Sequence, residues 1–318
     1  MANSTFGSYS ICAIAFGNSK FVAVGENGKM AYSTNGTAWT SVANSSFGNS
    51  QINDITFGNG LFVAVGNDNK ISVSKDGIIW NSEIKSPFNN NTRIVNVVFG
   101  NGKFVISRWG SGDAIAVSSD AKNRTKTDYE LAGIYDIVYG NGQFIAVGNT
   151  SADSCFLYTS YDGLTWAEKE SNFHYQGSNI TTAAWGNGRF IAVGERGSLA
   201  ISNGNAENWV LLISNSSYAA KPRSSDTLFS IIYVNGKFVG VGKNGKIATS
   251  PDGINWTDIR TGEGDFHYGD YHYTESNGEI TILGYRRKLE NVIIPALING
   301  KPVVEIGESA DIVSAYDD

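Results

Sequence analysis

One phrase is written six times along the 318 residues of this chain, and it leaves the fold little freedom. Residues 52–66 read INDITFGNGLFVAVG, and close variants run from near the N-terminus to beyond residue 230. The aromatic that opens each step into the following turn falls at Phe16, Phe57, Phe99, Tyr139, Trp185 and Tyr233, so the spacings are 41, 42, 40, 46 and 48 residues. A unit this short cannot bury its apolar face alone and must stack on its neighbours. A period of about 40–50 residues built from short strands marks a β-propeller. The expected fold is all-β: a six-bladed β-propeller over residues 1–262, with seven blades as the alternative count, and a small β-rich tail over 263–318.

Within one unit, residues 52–57 alternate apolar and polar, as a half-buried strand does. Asn59-Gly60 accepts positive φ at both positions and closes a two-residue hairpin. Residues 62–65 (FVAV) are apolar throughout, which fits a strand covered on both faces by neighbouring blades. Residues 70–74 alternate again, and Ser74-Lys75-Asp76-Gly77-Ile78-Ile79-Trp80 ends the unit. There the Asp carboxylate can accept backbone N–H bonds across a turn, and the Gly takes a conformation closed to larger residues. The Trp is expected to pack between blades.

That turn returns at residues 33–39, 160–166 and 250–256 and is degraded at 118–120 and 202–204, where the Trp slips to Trp209. These turns resemble the Asp-box, or bacterial neuraminidase repeat, in a variant one residue shorter between Asp and Gly. The resemblance covers roughly residues 11–260 and implies a propeller whose Asp-boxes are structural, at the blade periphery. It also raises an enzyme reading, because sialidases share the motif. Sialidases hold the substrate carboxylate with three arginines from separate blades, the first in an Arg-Ile-Pro step, and use a Tyr–Glu pair and an Asp acid/base. Here Arg93-Ile94-Val95 lacks the proline, and Arg108, Arg124, Arg189, Arg196 and Arg223 are scattered. No catalytic residue carries over. The only histidines, His174, His267 and His272, adjoin no strained Gly-x-Ser-x-Gly turn. A non-enzymatic chain is expected, with a sialidase-like glycoside hydrolase as the alternative.

The balance of charge narrows the partners. Lys+Arg 24 against Asp+Glu 30 gives a formal charge of −6 with no long run of either sign, which argues against nucleic acid or an anionic membrane as ligand. No apolar run approaches the roughly 20 residues of a membrane span. The start, Met1-Ala2-Asn3-Ser4-Thr5-Phe6, shows no secretory signal. Cys12 and Cys155 lie in apolar strands of different repeats and are expected to be buried free thiols.

In a propeller the turns between strands 1–2 and 3–4 emerge on one face, the connections 2–3 and 4–1 on the other. The first, here called the hairpin face, is uniform in this chain; the second, the loop face, is where units differ. Its variable segments include 86–91, 107–113, 149–154, 171–176 and 215–226. Variation on a constant scaffold is where binding concentrates. Trp109, Phe88, Phe173 and Tyr175 offer flat apolar faces, with Arg108 as a polar neighbour, a combination suited to stacking on sugar rings. The ligand-binding residues expected are therefore Trp109, Arg108, Phe88, Tyr175 and Phe173. No cofactor and no resident metal is expected. Three residues before each marker aromatic stand Ala13, Asp54, Asn96, Asp136, Thr182 and Ser230, read as the lining of a water-filled axial channel, with a cation between Asp54 and Asp136 as the alternative.

After Trp256 the repeat breaks. Residues 292–295 (VIIP) and 298–307 (INGKPVVEIG) resemble one unit of the BspA-type leucine-rich repeats of bacterial surfaces. That resemblance implies a tail that docks on the propeller or serves as an oligomer contact. Asn277-Gly278 also lies 42 residues beyond Asn235-Gly236, so a remnant seventh blade stands beside it. The repeats, the tail and the lack of a visible signal together resemble phage-tail or bacterial surface-attachment proteins. The implied ligand is a cell-surface glycan or protein receptor, met by an extracellular or virion-associated protein. An assembly scaffold of the photosystem assembly-factor kind is the remaining alternative.

Overall fold

The computed structural model describes residues 5–81, 86–88, 92–110, 114–127, 133–149, 155–169, 180–195, 198–211, 228–243, 247–258, 266–268, 271–276, 279–285, 297–298 and 301–311. Blade 1 is β1 (Ile11–Gly17), β2 (Lys20–Gly25), β3 (Met30–Ser33) and β4 (Thr40–Ser41). Blade 2 is β5 (Ile52–Gly58), β6 (Leu61–Gly66) and β7 (Ile71–Ser74), and among the described residues a bridge between Val73 and Asn81 follows β7. Blade 3 is β8 (Ile94–Gly100), β9 (Lys103–Arg108), β10 (Ile115–Ser118) and β11 (Thr125–Lys126). Blade 4 is β12 (Ile134–Gly140), β13 (Gln143–Asn149), β14 (Cys155–Ser160) and β15 (Ala167–Glu168). Blade 5 is β16 (Ile180–Gly186), β17 (Arg189–Gly194), β18 (Leu199–Asn203) and β19 (Trp209–Leu211). Blade 6 is β20 (Leu228–Val234), β21 (Lys237–Gly242), β22 (Ile247–Ser250) and β23 (Thr257–Asp258). Each blade is an antiparallel meander in sequence order, and no α-helix occurs among the described residues. The chain is a six-bladed β-propeller.

The tail forms a separate sheet in the order β24 (Phe266–Tyr268), β25 (Tyr271–Ser276), β26 (Glu279–Tyr285), β28 (Lys301–Asp311) and β27 (Leu297–Ile298), with β26 and β28 parallel. The Val292-Ile293-Ile294-Pro295 run of the leucine-rich-repeat-like unit lies outside the described residues.

The hairpins form as their residues dictate. Gly58 pairs with Leu61, leaving Asn59 at φ 47 and Gly60 at φ 73, both left-handed, as a two-residue hairpin of the right twist needs. The third-to-fourth strand turns close alike. The Ser74 hydroxyl bonds to an Asp76 carboxylate oxygen, which accepts the N–H groups of Ile78 at 2.8 Å and Ile79 at 2.9 Å. The Trp80 indole N–H donates to the Gly77 carbonyl, and its ring is buried between blades. The same bonds recur around Asn35, Asp162 and Asp252.

Two contacts join each blade to the next. The first sets a glycine under an aromatic: a Cβ on Gly58 would lie 2.0 Å from Phe99 Cγ. Gly17 stands likewise under Phe57, Gly100 under Tyr139, Gly140 under Trp185 and Gly186 under Tyr233. In the second, the hairpin Asn reaches the following blade's third-to-fourth strand turn. Asn18 donates to the Lys75 carbonyl, Asn101 to that of Tyr161, Asn141 to that of Gly204 and Asn187 to that of Pro251. The core is therefore a series of inter-blade layers, such as Val63, Val65 and Ile71 against Ile94, Val97 and Phe104.

Closure of the ring was expected to bring the Ile11 unit against the Trp256 unit, and here the structure differs. Among the described elements, β1 packs on β5 and β16 packs on β20, but no comparable packing joins β20 to β1. Ile14 is 55% exposed, whereas Ile55 at the same place in blade 2 is 5% exposed. Ile11 and Phe16 on blade 1 are also exposed, as are Phe229, Ile232, Val234, Val241 and Ile247 on blade 6. Cys12 is exposed, against expectation, its sulfur accepting the Gln51 side-chain amide from the start of blade 2 at 3.3 Å, while Cys155 is a buried free thiol.

Candidate functional site

The variable face is built on backbone bonds at the base of each loop. In blade 3 the Arg108 N–H donates to the Ala114 carbonyl and the Trp109 N–H to the Arg93 carbonyl, both at 2.8 Å. These bonds hold the loop as it leaves β9, so Trp109 projects at a fixed height and is 48% exposed. Its ring lies 5.6 Å from that of Tyr135 on β12, tilted by 54°, the geometry aromatic pairs prefer. Burial pushes the Tyr135 hydroxyl's pKa up, and the Glu195 carboxylate adds to the shift. The phenol therefore stays a neutral donor beside the indole.

Phe88 corrects an expectation. It was expected to offer an exposed stacking face, yet it is 5% exposed and packs between blades 2 and 3 against Ile71, Ile94 and Phe104. Asn69, at φ 61, puts it there. Its side-chain amide donates to the Phe88 carbonyl at 2.9 Å, and its amide oxygen accepts the hydroxyls of Ser86 and Thr92, both at 2.8 Å. One side chain thus staples the connection from blade 2 to blade 3 and turns the Phe88 ring inward. The Arg108 guanidinium sits 5.7 Å from the centre of that ring, so Phe88 supports the arginine rather than a ligand. Phe173 and Tyr175 lie outside the described residues. Repeat comparison missed Tyr135; the signal was the position before each axial residue, which runs Cys12, Asn53, Val95, Tyr135, Thr181 and Phe229 and never repeats.

The axial residues are less a channel lining than a belt. The Asp54 carboxylate accepts the Val97 N–H of the next blade at 2.7 Å and the Ile55 N–H at 2.8 Å. Asn96 accepts the Ile137 N–H at 3.1 Å and donates to Asp136 at 2.9 Å. Asp136 accepts the Ala183 N–H at 3.1 Å and the Thr182 hydroxyl at 2.8 Å. Each side chain reaches one blade forward, tying blades 2 to 5 about the axis. Loss of water pushes the Asp54 carboxyl up to about 7, its N–H bonds oppose this, and the charge of Asp136 adds a little. Asp136 is raised for the same first reason. With Asn96 between them and their lone pairs committed to N–H and O–H donors, the two carboxylates are arranged as inter-blade clamps. No cluster suited to a metal ion occurs among the described residues.

The four described arginines do not gather at one site. Arg93, whose carbonyl accepts the Trp109 N–H, and Arg108 stand on the loop face. Arg124 bonds to the Ala121 carbonyl at 2.7 Å and Arg189 to the Asp252 carbonyl at 3.3 Å, both in turns of the hairpin face.

No family model matches the sequence, and no curated protein matches it. The fold does match solved structures. A YCF48 structure bound to a D1 peptide superposes with TM-score 0.59 at 17% identity, over 84% of this chain and 90% of that one. YCF48 from Cyanidioschyzon merolae gives TM-score 0.59 at 14% identity, over 84% and 92%. The WD40 β-propeller domain of Doa1 gives TM-score 0.58 at 13% identity, over 84% and 90%. At such identities the likeness establishes the propeller fold and nothing finer.

Proposed function

We propose that this chain is a non-catalytic binding module that takes a cell-surface carbohydrate on its loop face, across the shelf formed by Trp109 and Tyr135 with Arg108 beside it. The carrying observation is the half-exposed Trp109 ring, held from behind by Tyr135 and from below by a backbone bond to Arg93. A flat apolar surface already fixed in place costs little entropy to use, and the C–H face of a sugar ring matches it. Arg108, steadied over Phe88, supplies hydrogen-bond donors at the edge of the shelf. One such stack contributes about 1 kcal/mol, so binding per site is weak and useful affinity comes from multivalent display. That economy suits an attachment part of a phage tail or bacterial surface, with Asp-box-like turns as its structural pegs.

A second reading is a polypeptide partner, favoured by the YCF48 propeller, which was solved holding a peptide. Probing a glycan array and a peptide array with wild type and Trp109→Ala separates the two. Glycan signals that fall at least tenfold in the variant support the proposal, and peptide signals that do so move the ligand class to protein. Equal signals from both proteins remove the site. Turnover of a chromogenic glycoside, abolished by one carboxylate substitution, overturns the non-catalytic reading.

A further inference from the structure

The two exposed apolar faces on blades 1 and 6 are not arbitrary patches. Ile11, Ile14 and Phe16 occupy the positions that, in blades 2 to 6, pack against the preceding blade. Val241 and Ile247 occupy positions that Val65 and Ile71 of blade 2 use to meet the following blade. The arc therefore ends in one front face and one back face, each of the kind that forms every inter-blade layer. Gly36 of blade 1 shows the same vacancy. A Cβ there would meet only Phe21 of its own blade, whereas one on Gly77 would meet Val22 and one on Gly253 would meet Ile191, each in the preceding blade.

Direct contact between the two faces is opposed by one residue. Five glycines lie under the next blade's aromatic, but the sixth position is Val234. Its side chain occupies the space into which Phe16 would have to pack. This excludes the standard contact from blade 6 to blade 1, whether within the chain or onto a second copy.

The tail hairpin has the features the vacancy calls for. Ser276 pairs with Glu279 across two residues, as Gly58 pairs with Leu61, and Tyr273 pairs with Ile282 as Ile55 pairs with Ala64. Ile280 and Ile282 are fully buried, as Phe62 and Ala64 are, and Gly284 stands as far along its strand as Gly66 does, although the bulge falls here on the second strand, between Ile282 and Gly284, rather than on the first. Glu275 stands where the aromatic should be, so no ring would need a glycine at Val234. Ser276, with a smaller side chain than Val234, stands where Phe16 needs a small residue. The connection is also of fitting length: residues 259–270, which include β24 hairpinned onto β25, span 12 positions, against 10 (42–51), 7 (127–133), 11 (169–179) and 16 (212–227) between other blades.

We infer that β25 and β26 are the first two core strands of a degenerate seventh blade, which seats between blades 6 and 1 and closes the ring, with Ser276 beneath Phe16; its sheet departs from the four-stranded meander of blades 1 to 6 in carrying the short β24 beyond β25 and in pairing β26 parallel with β28. Closure removes both apolar faces from water and leaves no open propeller edge.

The test uses the full chain with Cys12→Ser, Phe16→Cys and Ser276→Cys. A Cβ on Gly186 would lie 2.5 Å from Tyr233 Cβ, so a slightly wider seat for Ser276 brings the two Cβ atoms within the about 3.5–4.5 Å separation that a disulfide spans. Under mild oxidation, near-complete linkage within one chain, independent of concentration and mapped by mass spectrometry, is the expected result. Linkage between chains that grows with concentration would assign the faces to a second copy and overturn the inference. So would failure to link, or linkage instead in the Phe16→Cys/Val234→Cys pair. As a second readout, Ile14→Cys in the same Cys12→Ser background is expected to react with a thiol reagent at least a hundredfold more slowly than a cysteine at exposed Ile79. Equal rates would show the face open in solution.

Discussion

If the glycine under each marker aromatic joins the blades, then adding one carbon there should damage the protein through the ring and through nothing else. Gly58→Ala is the clean case. Its backbone does not lie in the left-handed region, so alanine is acceptable there on conformational grounds. The new Cβ, however, would sit 2.0, 2.3 and 2.4 Å from Phe99 Cγ, Cδ1 and Cδ2. Ordinary carbon contacts are about 3.5–4.0 Å, so blades 2 and 3 must part by about 1.5 Å or the ring must leave its seat. Overpacking of this size costs about 1–3 kcal/mol, and backbone-to-ring contact places it at the upper end. Gly60→Ala, two residues away, meets no atom within 4 Å but has φ 73, so its cost is the left-handed penalty alone, about 1–2 kcal/mol. Urea midpoints at constant slope measure both. The deciding measurement is the double-mutant cycle. In a Phe99→Ala background the Cβ has room, so Gly58→Ala should cost at least 1 kcal/mol less than in wild type, whereas Gly60→Ala should cost the same. Additivity of Gly58→Ala with Phe99→Ala within about 0.5 kcal/mol would refute the seat as the joint between blades.

Other outcomes follow from the same geometry. Asp54, raised to about 7 when folded, binds a proton in the native state that the unfolded chain has already lost. Native stability should therefore fall as pH rises from about 4 to 7, by at most about 4 kcal/mol from this group, and Asp54→Asn should remove that part of the slope; an unchanged slope in urea titrations at pH 5 and 8 would refute it. Asp76 moves the opposite way, held low first by the Ile79 and then by the Ile78 N–H. Asp76→Ala should cost about 1–2 kcal/mol at neutral pH, a difference that shrinks in acid as the wild-type carboxylate is protonated and loses these bonds. Asn69→Ala should free the connection that carries Phe88, lowering the urea midpoint and weakening any ligand that depends on Arg108, whereas Trp109→Ala should weaken the ligand with the midpoint unchanged.

The sequence alone determined the strand pattern, the hairpins, the turns and the number of well-formed blades, because these depend on contacts only a few residues long. A positive φ at Asn59-Gly60 and a carboxylate at Asp76 need nothing from outside their own unit, and a repeat that obeys one local rule must stack. What the sequence could not reveal is what depends on which side of a unit is covered. Phe88 has the look of an exposed loop aromatic until Asn69, 19 residues earlier, turns it inward; Cys12 has the look of a core thiol until the structure sets it at an exposed place beside Gln51. Tyr135 became part of the site only when β12 was set beside the loop leaving β9. The meaning of Val234 was likewise hidden. A valine after Tyr233 is unremarked in a list of repeats, and only the 2.0–2.3 Å at which a Cβ on the glycines of the other blades would meet the next aromatic shows that it closes a seat. Local geometry is encoded in neighbours along the chain, but exposure and register between blades are set by residues roughly one repeat apart, and only packing decides them.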